Sequence, residues 1–174
     1  MSRSIGDRIR KKLREAEGYL DLDLPRHSLG ILESRTEWPG LQFEAYLIKG
    51  EALRRLNRFR EAIGPLETAA SLRPSDSGVA LALGWCYKRT NRLAQAIDSL
   101  ETARRNHPDN ALLHYNLACY WSLAGNLSRA MDELRSALEL EPDLRSRLAD
   151  EPDFHQLRGN PDFDRLLMGS APRK

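Results

Sequence analysis

SGVALALGWCYKRTNRLAQAIDSLETARRNHPDN, residues 77–110, is two runs of helical spacing that meet at Asn91 and close at Pro108. Gly84 and Tyr87 share one face of the first run, and Ala96, Leu100 and Ala103 share one face of the second. Moved 34 residues in either direction, the stretch meets itself. Gly84 falls on Gly50 and Ala118, Ala96 on Ala62 and Ala130, and Leu100 on Leu66 and Leu134. Ala103 falls on Ala69 and Ala137, and Pro108 on Pro74 and Pro142. The register is unbroken from Phe43 to Leu144, which makes residues 43–76, 77–110 and 111–144 three copies of one helix pair.

The physical reading is the same in each copy. Small residues at 50 and 62, at 84 and 96, and at 118 and 130 let two helices approach closely. Asn57, Asn91 and Gly125 share a column, and these residue types tolerate the left-handed backbone that ends a helix. Tyr46, Gly50 and Leu53 are expected to face the partner helix. Lys49, where the later copies have Leu83 and Leu117, is expected to lay its stem on apolar surface with its ammonium in water. A 34-residue period with small, aromatic, small, large and Pro columns in this order resembles the tetratricopeptide repeat (TPR) family. That resemblance implies an all-α fold, a right-handed α-α superhelix, with protein–protein interaction as its function.

Outside the three copies the pattern weakens. Residues 1–42 are expected to form N-terminal helices and a degenerate repeat, with Ala16, Tyr19, Ser28 and Leu32 in the small, aromatic, small and large columns. Pro25 stands where Phe59, Leu93 and Leu127 stand later, and Arg35 replaces an Ala. Ile5, Ile9, Leu13, Ala16 and Leu20 make one stripe, with Arg8, Arg10, Lys11, Lys12 and Arg14 around the rest of the helix. Such a helix either lies on an anionic membrane surface or packs its stripe inward, and the repeat downstream favours packing. At the other end, PDFHQL (152–157) is echoed by PDFDRL (161–166). Residues 145–168 are expected to fold as a cap of two short helices, the second capped by Asn160, followed by a loose tail at 169–174. This PDF-containing ending resembles C-terminal extensions on some bacterial TPR proteins.

Composition excludes several functions. The chain of 174 residues has 27 basic and 25 acidic side chains, a net charge of +2 too small to draw nucleic acid by bulk attraction. Cys86 and Cys119 lack CxxC spacing and read as buried thiols of a reducing compartment, so the cytoplasm is the expected location. No apolar run is long enough for a membrane span, and none follows the basic residues of MSRSIGDRIRKKL as a secretory signal requires. His27, His107, His114 and His155 make no ligand spacing, no glycine-rich loop could cradle phosphate, and no serine sits in a nucleophile elbow. The expectation is a non-enzyme with no cofactor, no metal and no catalytic residue.

What remains is surface. Leu47, Glu51, Arg54 and Arg55 share a face beside the packing column of the first copy. Leu81, Trp85, Lys88 and Arg89 take the same positions in the second copy, and Tyr115, Cys119, Ser122 and Leu123 share the corresponding face of the third. By the TPR resemblance this face lines a concave groove for an extended peptide or partner helix. Trp85 and Tyr115 would be anchors there, and the cations would favour an acidic peptide. TPR domains that clamp the C-terminal carboxylate of heat-shock chaperones carry Lys, Arg and Asn at set groove positions. Leu47, Glu51, Ala82, Leu112 and Asn116 stand there, or Leu13, Glu17, Ile48, Gly78 and Ala82 one repeat back. Asn116 alone fits, so no clamp is expected. A nucleic-acid-binding helical repeat and self-association are the alternatives. The first needs cations in register along several repeats, and here they concentrate on two.

Overall fold

The structure, a computed structural model, describes residues 5–169. The expected tail beyond Gly169 and the side chain of Ile5 lie outside the described residues. Among the described residues every regular element is a helix. In order they are α1 (Ile5–Asp21), α2 (Pro25–Glu33), α3 (Gln42–Arg55), α4 (Phe59–Leu72), α5 (Ser77–Arg89), α6 (Leu93–Asn106), α7 (Ala111–Leu123) and α8 (Leu127–Leu140). Two 3-10 turns, Pro142–Arg147 and Pro152–Leu157, and then α9 (Pro161–Met168) complete the chain.

One turn chemistry joins each pair of helices. Asn57, Asn91 and Gly125 have φ of 58°, 62° and 78°, the left-handed values expected of their column. Asp23 holds the same place in the N-terminal pair, with φ 55°. In all four turns the next amide bonds back around the helix end. Leu24 donates to the Tyr19 carbonyl at 2.7 Å, Arg58 to Leu53 at 2.9 Å, Arg92 to Tyr87 at 2.8 Å and Asn126 to Trp121 at 2.9 Å. The second helices then start at Pro25, Phe59, Leu93 and Leu127. Pro25 therefore leaves the register intact, because the first helical position needs no N–H donor. Asp76, Asn110 and Asn126 cap α5, α7 and α8 by accepting from Val79, from Leu112 and Leu113, and from Arg129.

The chain divides into two units, Met1–Arg92 and Leu93–Lys174. In the first, Ile9, Leu13, Ala16 and Leu20 of α1 are buried in the core. The apolar stripe is thus spent on packing, and Arg8, Arg10, Lys11, Lys12 and Arg14 are left outside. α3 and α4 meet at Gly50, where a Cβ would stand 2.4 Å from Leu66 Cγ. The N-terminal pair differs in its second helix, which stops at Glu33, well short of the lengths of α4, α6 and α8. The chain then loops back with Trp38 buried. Tyr46, expected to face the partner helix, is 37% exposed, while Phe43, Ala45 and Ile48 on the same part of α3 are buried.

In the second unit α6 packs against α7 and α7 against α8, and Ala96, Ile97, Leu100 and Ala103 of α6 are buried. His114 is buried and tied to its neighbours. Its Nε2 donates to the Pro108 carbonyl at 2.8 Å and its Nδ1 lies 2.6 Å from the Glu133 carboxylate. The C-terminal residues form two 3-10 turns and one helix where two short helices were expected. Pro142–Arg147 packs on α8 and Pro152–Leu157 on α7. Leu144, Leu148, Phe154, Leu157 and Phe163 are all within 1% of complete burial. Asn160 caps α9 as expected, accepting from Asp162 at 2.9 Å and Phe163 at 3.4 Å.

Candidate functional site

In the first unit the residues expected on a partner face lie on α3 and α5, which sit side by side. Leu47 and Leu81 are half-buried there, and Trp85 is 38% exposed. The Lys88 ammonium stands 4.9 Å from the centre of the Trp85 ring, one helical turn along α5. Glu51 and Arg54 form a tight pair, with the guanidinium donating to both carboxylate oxygens at 2.7 to 3.2 Å. This pair lies within electrostatic reach of Cys86, a fully buried residue of α5 whose thiol burial pushes up to about 11.

The four expected cations do not form one wall. Arg54 is neutralised by Glu51. Arg55 donates to the Leu20 carbonyl at the end of α1 and lies 3.8 Å from Asp23, so it braces the N-terminal pair. Arg89 lies over the Phe59 ring at 5.1 Å, at the start of α4. Lys88 is the cation kept beside Trp85. Sequence register places these residues on neighbouring faces but does not show how far each side chain reaches.

In the second unit the equivalent face is covered by the chain itself. Tyr115, Cys119 and Ser122 are 5%, 3% and 0% exposed, beneath Pro152–Leu157. Ser122 donates to the Asp153 carbonyl at 2.7 Å, and Phe154 meets Tyr115 edge-on at 5.7 Å between ring centres. These three residues present no open surface to a partner, because the PDF segment already occupies that side of α7. Burial raises the Tyr115 hydroxyl above its ordinary range, and the charges acting on it are those of Cys119, Glu151, Arg147 and Asp153. Cys119, Glu151 and Asp153 also bring one potential metal-ligand atom each within 4.8 Å of one another.

A feature that sequence reading missed lies beside α3. A cleft of about 600 Å³ runs between the loop after α2 and α3, lined by Arg35, Trp38, Tyr46 and Lys49 among others. The Arg35 guanidinium lies 5.9 Å from the centre of the Trp38 ring. The Pro39–Gly40 turn signal after Trp38 could have marked this loop, since Gly40 adopts φ 70°. Among the described residues no helix is long and apolar enough to cross a membrane.

Comparison with known proteins bears on the fold. A family profile described as tetratricopeptide repeat matches residues 53–118. No curated protein matches the chain significantly. Of solved structures, MamA 41-end from Desulfovibrio magneticus RS-1 is similar at TM-score 0.74 and 17% identity, over 95% of this chain and 96% of that one. A crystal structure of MamA gives TM-score 0.72 and 19% identity, over 84% of this chain and 99% of that one. A second MamA crystal structure gives 0.70 and 22%, over 79% and 75%. Identity at this level speaks for fold alone, and the fold is all-α, of the tetratricopeptide-repeat type.

Proposed function

We propose that the chain is a non-catalytic scaffold or adaptor that binds a peptide or partner helix on the α3–α5 face. The observation that carries this reading is Trp85, a large aromatic ring left partly open on the elements that also carry half-buried Leu47 and Leu81, with Lys88 over it. Interface hot spots favour such rings, because a large rigid apolar surface is desolvated at little entropic cost. The ligand that fits is a segment with an apolar residue for Trp85 and a carboxylate for Lys88. With Arg54, Arg55 and Arg89 engaged within the chain, an extended acidic run or a nucleic-acid backbone meets few available charges. Affinity in the micromolar range, about −8 kcal/mol, suits one anchor and one charge. The PDF-containing ending acts in this reading as a cap, and Cys86 and Cys119, both buried and outside any disulfide, support the cytoplasm as the compartment.

The test selects peptides from a display library on the immobilised chain and titrates them by calorimetry. Trp85→Ala should weaken binding by ~2 kcal/mol, roughly 30-fold. Lys88→Glu should weaken the carboxylate-bearing peptides and spare neutral ones, with circular dichroism unchanged in both variants. Equal affinity for parent and Trp85→Ala would move the binding surface elsewhere, first to the cleft at Trp38 and Tyr46. Sedimentation of the chain alone across concentrations reports whether a second copy takes the face.

A further inference from the structure

The segment that covers α7 brings metal-competent chemistry against one helix. Cys119 belongs to α7, and Glu151 and Asp153 flank Pro152 where the covering segment begins. Their donor atoms lie within 4.8 Å of one another. Cys119 and Asp153 are buried and Glu151 is half-buried. An independent observation points to the same spot. Tyr115, one turn before Cys119 on the same face of α7, is 5% exposed, and its hydroxyl is fully enclosed without a hydrogen-bond partner among the described residues. The groups acting on that hydroxyl include the same three side chains. A buried hydroxyl left unpaired is unfavourable, and a bound cation accepting its lone pair would relieve it.

We propose that Cys119 Sγ, the Glu151 and Asp153 carboxylates and the Tyr115 hydroxyl form a binding site for a zinc-class divalent cation. The donor set selects the metal. A thiolate argues against Mg²⁺ and Ca²⁺, which take oxygen ligands, and two carboxylates argue against Cu⁺, which prefers sulfur. Zn²⁺ accepts both donor types in a tetrahedral site, at about 2.3 Å to sulfur and 2.0–2.2 Å to oxygen. Those bond lengths bring donors to roughly 3.5 Å apart, so side-chain movements of about 1 Å close the Cys119, Glu151 and Asp153 donors onto a metal. The main chain is already fixed for this. Ser122 holds the Asp153 carbonyl, and the Asp153 amide donates to Glu151 Oε1 at 3.3 Å, leaving Oε2 for the metal. On binding, the Cys119 proton leaves to solvent, and the three negative charges are balanced by the dication and nearby Arg147. Because the ligands come from α7 and from the segment covering it, the metal would pin that segment to the last repeat.

The experiment uses the full chain, stripped with a chelator and titrated with Co²⁺ and then Zn²⁺. One Co²⁺ per chain is expected, with a near-ultraviolet thiolate-to-cobalt charge-transfer band that Zn²⁺ abolishes by displacement. Zn²⁺ should also raise the melting temperature. Cys119→Ser should lose the band, and Cys86→Ser should keep it. Glu151→Gln changes a half-buried residue and should fold; its Zn²⁺ affinity, read by competition with a chromophoric chelator, should fall roughly tenfold or more. Absence of the band in the parent chain, an undiminished band in Cys119→Ser, or unchanged affinity in Glu151→Gln would each overturn the site. A melting rise without the band would mean binding at the scattered histidines, and that outcome overturns it too.

Discussion

At Gly50 a single hydrogen atom sets the distance between two helices. A Cβ built there would stand 2.4 Å from Leu66 Cγ and 2.5 Å from Cδ2. Leu66 is fully buried, so its side chain has little room to swing aside. Gly50→Ala must therefore push α3 from α4 or force Leu66 off its rotamer, at about 1–3 kcal/mol. Alanine recovers roughly 0.5–1 kcal/mol through its better helix propensity, which leaves a net loss of up to about 2.5 kcal/mol, centred near 1. Gly18 and Gly30 are the controls, since nothing lies within 4 Å of a Cβ at either. Gly18→Ala and Gly30→Ala should raise the melting temperature while Gly50→Ala lowers it. A Gly50→Ala melt at or above the parent would mean that α3 and α4 are not in close contact there. Because α3 also carries Leu47, Glu51 and Arg54, the same variant should perturb peptide binding on the α3–α5 face.

The turn between α1 and α2 shows how a helix pair can be encoded and still be hard to read. Asn57, Asn91 and Gly125 announce their column because such residues commonly hold a left-handed backbone. Asp23 holds it as well, but Asp is common in many other settings, and the Pro25 that follows looks like a break. Both fit once the helix ends are considered: Asp23 closes α1, and Pro25 opens α2. Arg55 belongs to the same element, since its bond to the Leu20 carbonyl satisfies a helix end that carries negative partial charge. A sequence places Arg55 beside Arg54 but cannot show that it reaches back to α1. The Asp23 side chain is 89% exposed and its 3.8 Å pair with Arg55 is solvent-screened, so substitution there reports mainly on backbone conformation. Asp23→Val should cost about 1–2 kcal/mol, because a β-branched residue resists positive φ. Asp23→Gly should be neutral to stabilising. Urea midpoints measure both, and a Val variant matching the parent would remove the turn from the account of the N-terminal repeat.

For the chain as a whole, periodicity separates what was legible from what was not. Gly50, Ala62 and Leu66 declare a helix pair within a short stretch, and the copy one period later declares it again. The covering of Tyr115, Cys119 and Ser122 has no such echo, because it joins α7 to residues 152–157, across α8, through a contact that occurs once. From sequence alone the corresponding face of α7 is expected to be open; residues 152–157 cover it, which leaves α3 and α5 as the candidate face. The segment's own apolar residues carry the remaining inference. Phe154 and Phe163 are completely buried and lie 5.7 Å apart, and Phe154 touches Tyr115 as well. Phe154→Ala should then cost about 3–5 kcal/mol, the usual loss for a core phenylalanine that leaves a cavity. Ending the chain after Glu141 removes Leu144, Leu148, Phe154, Leu157 and Phe163 from the core together. It also uncovers Tyr115, Cys119 and Ser122 on α7. That truncation should melt far lower or aggregate, because a fresh apolar patch seeks another surface. Both variants are to be measured with chelator present, so that no metal contributes to the parent's stability. A truncated chain that stays monomeric with the parent's melting temperature would show that residues 142–168 are dispensable to the fold, and would return the α7 face to the list of surfaces a partner can use.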